Sequence, residues 1–427
     1  MVVRLLAPLA TVVFASASVL VSACSTAPDA RQHGVDDERV GATGSAIISG
    51  KASAADQDAV VLLVSPIDST SAFECTGTLI APNLVLTARH CVAKTTEAAF
   101  ACDEKGGGTA GGAVGSDFPA TNVLVFAGVK RPADPFKGSD AKGAMIFHDE
   151  SKNLCNHDLA LLLLDKPIEN GKIASIRLDA PITKGEVFTA VGWGVTSTVS
   201  SPNVRQQRTD ITINTVGPAA DPKNGLALGP NEFLVGESIC QGDSGGPALA
   251  ATTGAVLGVV TRGGNNRQGD PNDPASQCVD GVNFYTMTSG FKDLILTAFT
   301  AAGHDPWTEG GPDPRLAKLG EACTGPESCR SALCLTDAKG VATTCTQSCA
   351  TEKCPEGLEC TTRGADKLCA PKGASANGAG GGTTTTTTTG CAVSSSGQGS
   401  SSSLAAWALA GLALIAARRR RSSPRSA

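Results

Sequence analysis

Cys240-Gln241-Gly242-Asp243-Ser244-Gly245-Gly246-Pro247 is the stretch of this 427-residue sequence that says most about its fold and its chemistry. A serine flanked by small residues presents its hydroxyl on a tight turn. Glycine at 242 allows its backbone N–H to point the same way as that of Ser244, and two such donors can stabilise a tetrahedral oxyanion. A Gly-Asp-Ser-Gly segment alone is an ordinary turn. The interpretation therefore depends on a base and an acid earlier in the chain.

Two upstream segments supply these groups. His90 lies in Thr87-Ala88-Arg89-His90-Cys91, after an apolar stretch over 78–86 that predicts two strands joined by a turn. Asp158 directly precedes the apolar run 159–164, which predicts a buried strand. An imidazole titrates in the range needed to take a proton from serine, and a carboxylate favours the charged imidazole. The sequence therefore predicts a base at 90 and an orienting acid at 158.

Each of these residues also has a simpler interpretation. A lone histidine is more often structural than catalytic, and Asp158 could cap a turn. His157 competes with His90 for the role of base but lacks the Thr-Ala and Cys flanks, so we interpret it as structural.

In the order histidine, aspartate, serine, the three motifs closely resemble the trypsin and chymotrypsin family of serine proteases. The resemblance covers residues 47–302 and implies an all-β fold of two six-stranded β-barrels. It implies that His90 is the general base and then the general acid, and that Asp158 orients and stabilises the imidazolium. Ser244 is then the nucleophile, and the oxyanion hole is formed at Gly242 and Ser244. The expected substrate is a protein or peptide, and no cofactor or metal is implied. The alternative is a surface binding protein of the same fold that has lost catalysis.

The family matures by cleavage before an Ile-Val-Gly-Gly-like start, and the new amino group pairs with the acid beside the serine. Here Ile47-Ile48-Ser49-Gly50 resembles that start, and Asp243 resembles the acid. Residues 24–46 would then be a propeptide. Ala46 stands where animal zymogens have a basic residue, so we expect an activating protease that prefers small residues, either another enzyme or this protein itself.

The resemblance also locates the substrate pocket. Ser238 lies six residues before Ser244, where trypsins carry aspartate, and Thr261 and Gly263 belong to the strand that lines the pocket. Arg262 replaces an aromatic residue between them. We expect a preference for apolar or small residues before the cleaved bond. The opposite wall lies within 281–285, and no single residue there can be assigned.

Sixteen cysteines indicate an oxidising compartment. The resemblance implies that Cys75 pairs with Cys91 and Cys240 with Cys278. Cys102 and Cys155 are left as a third candidate disulfide, a pairing that the sequence alone leaves open. Metal binding is the alternative, but this group has no Cys-x-x-Cys spacing.

A linker over 303–318 precedes eight cysteines within 319–371. So short a segment cannot bury a useful core, which predicts a disulfide-rich module, either a spacer or a binder of a wall component. Zinc is less suited to its spacings without histidine.

The N-terminus predicts export. Residues 1–23 have a basic start and an apolar run, typical of a signal peptide. Leu20-Val21-Ser22-Ala23-Cys24 resembles a bacterial lipobox, with lipidation of Cys24, although an ordinary secretory signal remains open.

The C-terminus predicts a second sorting element. Residues 372–403 form a linker rich in Gly, Ser and Thr that contains Cys391, and 404–421 combine a short apolar segment with four arginines. This order resembles the myxobacterial C-terminal sorting signal, in which the cysteine carries the surface anchor; a transmembrane tail anchor is the alternative. We expect a protein exported to the surface or outer membrane of a bacterium, or released from it.

The composition favours no nucleic-acid partner. The formal net charge is −5 and charged residues make up 18% of the chain, without a basic cluster outside the C-terminal arginines.

Overall fold

The computed structural model describes residues 50–372, apart from 96–99, 170, 197–201, 222–225, 266, 271, 274, 338 and 352. The predicted signal peptide, propeptide and C-terminal sorting segment, with Cys24, Ile47 and Cys391, lie outside the described residues. The chain divides into two compact units, with the boundary between Glu309 and Gly310.

Six antiparallel strands close the first barrel. In chain order they are β1 (Val60–Pro66), β2 (Ala72–Ala81), β3 (Leu84–Thr87), β4 (Leu124–Phe126), β5 (Ala141–Phe147) and β6 (Ala160–Leu164). Hydrogen bonding runs β1-β2-β3-β6-β5-β4 and returns to β1. Closure leaves no free sheet edge in this barrel.

A second barrel follows with the same order of connections. Its strands are β7 (Val187–Gly192), β8 (Gln206–Val216), β9 (Glu232–Val235), β10 (Pro247–Ala250), β11 (Val256–Gly264) and β12 (Val282–Met287). Hydrogen bonding runs β7-β8-β9-β12-β11-β10 and returns to β7, and Lys51–Ala52 pairs along β8. The predicted all-β fold with two six-stranded barrels is confirmed.

The remaining elements of the first unit are short. They are the strands Ala93–Thr95, Ala101–Cys102, Gly108–Ala110, Val114–Asp117, Ala219–Asp221 and Leu226–Leu228, and the 3-10 helices Ala55–Gln57, Arg89–Cys91, Ala120–Asn122 and Ser289–Phe291. Within the described ranges the only α-helix is α1 (Lys292–Ala302). No helix in the described part of the chain has the length and apolar character needed to cross a membrane.

Continuous apolar runs form these strands because both faces of the first barrel's wall are buried. Leu162 packs inside the barrel, whereas its neighbour Leu161 belongs to an outer cluster that includes Val259 of β11 and Phe299 of α1. Successive side chains of a strand point to opposite faces, so a strand buried on both sides needs apolar residues at every position. The outer cluster joins the two barrels and the helix.

The residues that follow α1, up to Glu309, pack on the first unit. The N–H of Ile176 donates to the carbonyl of Trp307 at 2.8 Å, and Arg177 pairs with Glu309 at 2.5 Å. Residues 303–309, which the sequence analysis assigned to a linker, therefore belong to the first compact unit.

The second unit is stabilised by four disulfides. They join Cys323 to Cys334, Cys329 to Cys345, Cys349 to Cys360 and Cys354 to Cys369. Its two hairpins pair Cys334–Thr336 with Ala342–Cys345 and Leu358–Arg363 with Asp366–Pro371, and a 3-10 helix covers Pro326–Ser328. Each hairpin lies within a set of four cysteines paired first to third and second to fourth. The unit is thus two similar halves.

Arg205, fully buried just before β8, connects the N-terminal segment to the barrels. Its guanidinium donates to the hydroxyl of Ser53 at 2.8 Å, to the carbonyl of Val60 at 2.7 Å and to the carboxylate of Asp58 at 2.8 Å. Burial of a charged group is tolerated only when its donors are satisfied in this way.

We expect Arg205→Ala to destabilise the first unit by about 3 kcal/mol, because it leaves buried acceptors without their donor. For a unit of this size the melting temperature should fall by roughly 6–12 °C. Thermal unfolding measured in a Ser244→Ala background, which prevents self-digestion, tests this. The control is Arg267→Ala, since the Arg267–Asp280 pair is exposed; equal losses in the two variants would contradict the prediction.

Candidate active site

The register of β3 and β6 brings His90 and Asp158 together. Thr87, at the end of β3, pairs with Ala160, at the start of β6. His90 lies in the 3-10 helix that follows β3, and Asp158 lies two residues before β6. The two residues therefore project from the same end of the first barrel. Cys91 is joined to Cys75 of β2 by a disulfide, which restrains the histidine segment.

Two hydrogen bonds join these residues. The backbone N–H of His90 donates to Asp158 Oδ1 at 2.9 Å, and His90 Nδ1 lies 2.7 Å from Asp158 Oδ2. Because an ionised carboxylate only accepts, Nδ1 carries the proton and Nε2 is left as the basic nitrogen. Thr261 of β11 donates its hydroxyl to the same Oδ2. Asp158 is completely buried and thus contacts both barrels.

The environment of His90 shifts its pKa. Burial lowers the pKa of His90, whereas the negative charge of Asp158 and the hydrogen bond to it raise this pKa, and the net shift is upward. A raised pKa makes the imidazole a stronger base once its proton is lost.

His157 points away from this pair. Its Nδ1 lies 2.5 Å from Asp149 Oδ2, and its side chain is 36% exposed. It is not among the residues that line the cleft described below.

The serine turn lies between β9 and β10 and is attached to β2. The N–H of Thr76 donates to the carbonyl of Ser244 at 2.8 Å, and its hydroxyl donates to the carbonyl of Gly242 at 2.9 Å. Gly242 has φ +95°, a region that favours glycine. The N–H groups of Gly242 and Ser244 donate to no described residue. The turn therefore presents two unpaired donors.

Ser244 and His90 line the same cleft, which has a volume of about 1070 Å³ and also includes Gly242, Thr261 and Gly263. Within the described part of the chain, no hydrogen bond joins the hydroxyl of Ser244 to His90. Such contacts are often long without substrate.

Asp243 lies behind the turn. It is 1% exposed, and its carboxylate accepts from the N–H of Gly194 at 2.7 Å and from the N–H of Cys240 at 2.9 Å. A Cβ on Gly192 would lie 2.2 Å from Asp243 Oδ1, so the space for this carboxylate requires glycine there. No cationic side chain among the described residues pairs with it. Burial raises the pKa of Asp243 to about 7, despite the lowering effect of the two hydrogen bonds.

Arg262 lines the cleft with a guanidinium group that is stacked on two aromatic rings. Its guanidinium lies 4.0 Å from the ring centroid of Phe284 and 5.1 Å from that of Phe100, and it donates to the buried carboxylate of Glu232 at 3.0 Å. An arginine paired and stacked in this way provides a flat surface at the position where the resemblance implies an aromatic ring.

The pocket residues proposed from sequence are distributed differently. Thr261 and Gly263 line the cleft, but Ser238 does not; it is fully buried and donates to Asn283. Asn283 lines the cleft and lies within the range 281–285 predicted for the opposite wall; the sequence does not single it out because it does not give the register of β12 against β11.

Three disulfides belong to this unit: Cys75–Cys91, Cys102–Cys155 and Cys240–Cys278. The first and third are the pairings implied by the resemblance, and the second joins the two cysteines left open. Cys240 and Cys278 both line the cleft.

Comparison with known proteins identifies the family of the first unit. The trypsin family profile matches residues 47–277, more than half of the chain. Snake venom serine proteinase 14 of Crotalus adamanteus is 32% identical over 203 residues, which cover 45% of this chain and 67% of that protein. Thrombin-like enzyme elegaxobin-1 of Protobothrops elegans is 29% identical over 241 residues, 52% of this chain and 86% of that protein. The chain belongs to the trypsin family of serine proteases.

Proposed function

We propose that this protein is a serine endopeptidase that hydrolyses peptide bonds through His90, Asp158 and Ser244. The observation that carries the proposal is the hydrogen-bonded His90–Asp158 pair at a cleft that Ser244 also lines. The unpaired N–H groups of Gly242 and Ser244 support an oxyanion hole beside that serine.

In the proposed reaction, His90 Nε2 takes the proton of the Ser244 hydroxyl as its oxygen attacks the peptide carbonyl carbon. The negative oxygen that forms accepts from the N–H groups of Gly242 and Ser244. The carbon–nitrogen bond then breaks, His90 returns the proton to the leaving amine, and an acyl-enzyme remains. Water repeats the sequence and releases the acid. Asp158 stabilises the imidazolium in both halves.

We infer that the enzyme is made as a precursor and activated by cleavage before Ile47. Asp243 supports this inference because a buried carboxylate without a described cation is poorly stabilised, and a new ammonium group would compensate it. The N-terminal part of the described chain approaches β8, since Lys51 pairs with Gln207.

We also propose export and attachment to the bacterial surface. The support is sequence only: a signal peptide over 1–23, Cys24 as a lipidation site in the precursor, and Cys391 before the segment 404–421. The disulfide-bonded second unit would then act as a spacer between enzyme and anchor.

Fluorophosphonate labelling tests the catalytic proposal. We expect the mature protein to be labelled, Ser244→Ala to lose labelling completely, and Asp158→Asn to react about 10⁴-fold more slowly because the histidine tautomer is no longer held. His157→Gln is the matched control and should label at the normal rate. Absence of labelling in the mature protein would instead favour a protease-like binding protein.

Mass spectrometry of the protein released from the cell surface tests maturation and attachment together. We expect an N-terminus at Ile47 and a C-terminal fragment that ends at or near Cys391, with the segment 404–421 removed and a lipid on Cys391. Another N-terminus contradicts activation at Ile47, and retention of residues 404–421 contradicts the sorting signal.

The stability of the precursor should fall as pH rises. Between the unfolded pKa of about 3.9 and the folded pKa of about 7, the folded form binds the extra proton at Asp243, so ionisation costs stability. We expect a loss of about 4 kcal/mol between pH 4 and pH 8 in the Ser244→Ala precursor. Asp243→Asn should remove this part of the dependence, and cleavage before Ile47 should reduce it. Denaturant titrations at several pH values measure the slope, and an unchanged slope in Asp243→Asn would refute its assignment to Asp243.

A further inference from the structure

Asn283 is one of the residues that line the cleft. It belongs to β12, where it pairs with Gly263 of β11 on one side and with Val235 of β9 on the other. The residue is 1% exposed, yet it lines the cleft together with Gly263 and Ser244. A polar side chain at this place can contact a ligand that enters the cleft.

The orientation of its amide is determined by the backbone. Asn283 Oδ1 accepts from the N–H of Ser238 at 2.8 Å, from its hydroxyl at 3.0 Å and from the N–H of Ile239 at 3.3 Å. Backbone N–H groups can only donate, so the side-chain atom facing them must be the oxygen. The amide nitrogen therefore points the other way.

Asn283 Nδ2 lies against the Gly263 edge of the cleft. A Cβ built on Gly263 would be 2.1 Å from this nitrogen, so the glycine leaves the space that the amide occupies. Nδ2 donates to no described residue. Two N–H donors beside the cleft are thus without an acceptor, and such groups favour a ligand that supplies one.

We propose that Asn283 determines which substrate residue is accepted before the cleaved bond, and that this residue is glutamine or asparagine. This inference rests on the proposed endopeptidase function. A carbonyl oxygen at the end of the substrate side chain accepts a hydrogen bond from Nδ2. Lysine and arginine side chains have only donors and therefore cannot bond to Nδ2. Leucine and aromatic side chains leave Nδ2 unpaired. The substrate class thus differs from the apolar or small residue expected from sequence.

A charged carboxylate is less suitable than an amide for the same pocket. The two arginines that line the cleft both have carboxylate partners: Arg262 is paired with the buried Glu232, and Arg267 forms an exposed pair with Asp280. A glutamate side chain would therefore place its charge beside the buried Asn283 without a free cation among the described residues. The neutral carbonyl supplies the acceptor without that cost.

Peptide substrates that differ only in the residue before the cleaved bond test this proposal on the mature protein. We expect kcat/KM for glutamine or asparagine to exceed that for leucine, lysine and glutamate by about tenfold or more. Asn283→Asp keeps the oxygen that Ser238 and Ile239 contact but replaces the donor with a charged acceptor, so the preference should change to lysine and arginine. Asn122→Asp is the matched control: it makes the same change at an exposed asparagine that does not line the cleft, and the ranking of substrates should stay the same.

Fluorophosphonate labelling of each variant separates the two levels of the proposal. A labelled wild-type protein without preference for glutamine or asparagine overturns the assignment of Asn283 and leaves the endopeptidase function intact. A labelled Asn283→Asp protein with the wild-type ranking also overturns it. Absence of labelling in wild type overturns the endopeptidase function, and this inference with it.

Discussion

The buried carboxylate of Asp158 accepts hydrogen bonds from both barrels, and the arrangement of the site depends on it. His90 contributes a backbone N–H and a ring nitrogen from the first barrel, and Thr261 contributes a hydroxyl from the second. A fully buried carboxylate is stable only when its oxygens are satisfied. The two barrels must therefore meet in one orientation, which the outer cluster of Leu161, Val259 and α1 also requires.

The serine turn depends on contacts of the same kind. Thr76 of β2 donates hydrogen bonds to the carbonyls of Gly242 and Ser244, so both carbonyls point away from the cleft. The N–H groups of these two residues have no acceptor within the described ranges. Behind the turn, Gly192 leaves room for the carboxylate of Asp243. A first-barrel strand thus orients a second-barrel loop, and the chemistry lies where the two barrels meet.

Much of the fold could be predicted because its apolar runs are long and its motifs are local. The run 159–164 predicts a strand buried on both sides, and the motifs around His90, Asp158 and Ser244 indicate the roles of these residues once all three are found in that order. The pocket was harder to predict. The position of Ser238 follows from its distance along the chain from Ser244. Whether its side chain reaches the cleft depends on its neighbours in the fold, and here Asn283 lines the cleft while Ser238 is buried and bonded to it. The similarity between the two halves of the cysteine-rich unit could not be predicted either, because it depends on the pattern of disulfide pairing.

Sequence alone determined which chemical groups are present and in what order: a histidine after a strand, an acid before a strand, a serine in a glycine turn, and two groups of cysteines. Those features are local, because each depends on residues within a few positions. The tertiary structure decided which atoms face the cleft, among them the unpaired N–H groups of Gly242 and Ser244 and the amide nitrogen of Asn283. These depend on strand register and burial, which arise from pairings between residues far apart in the chain.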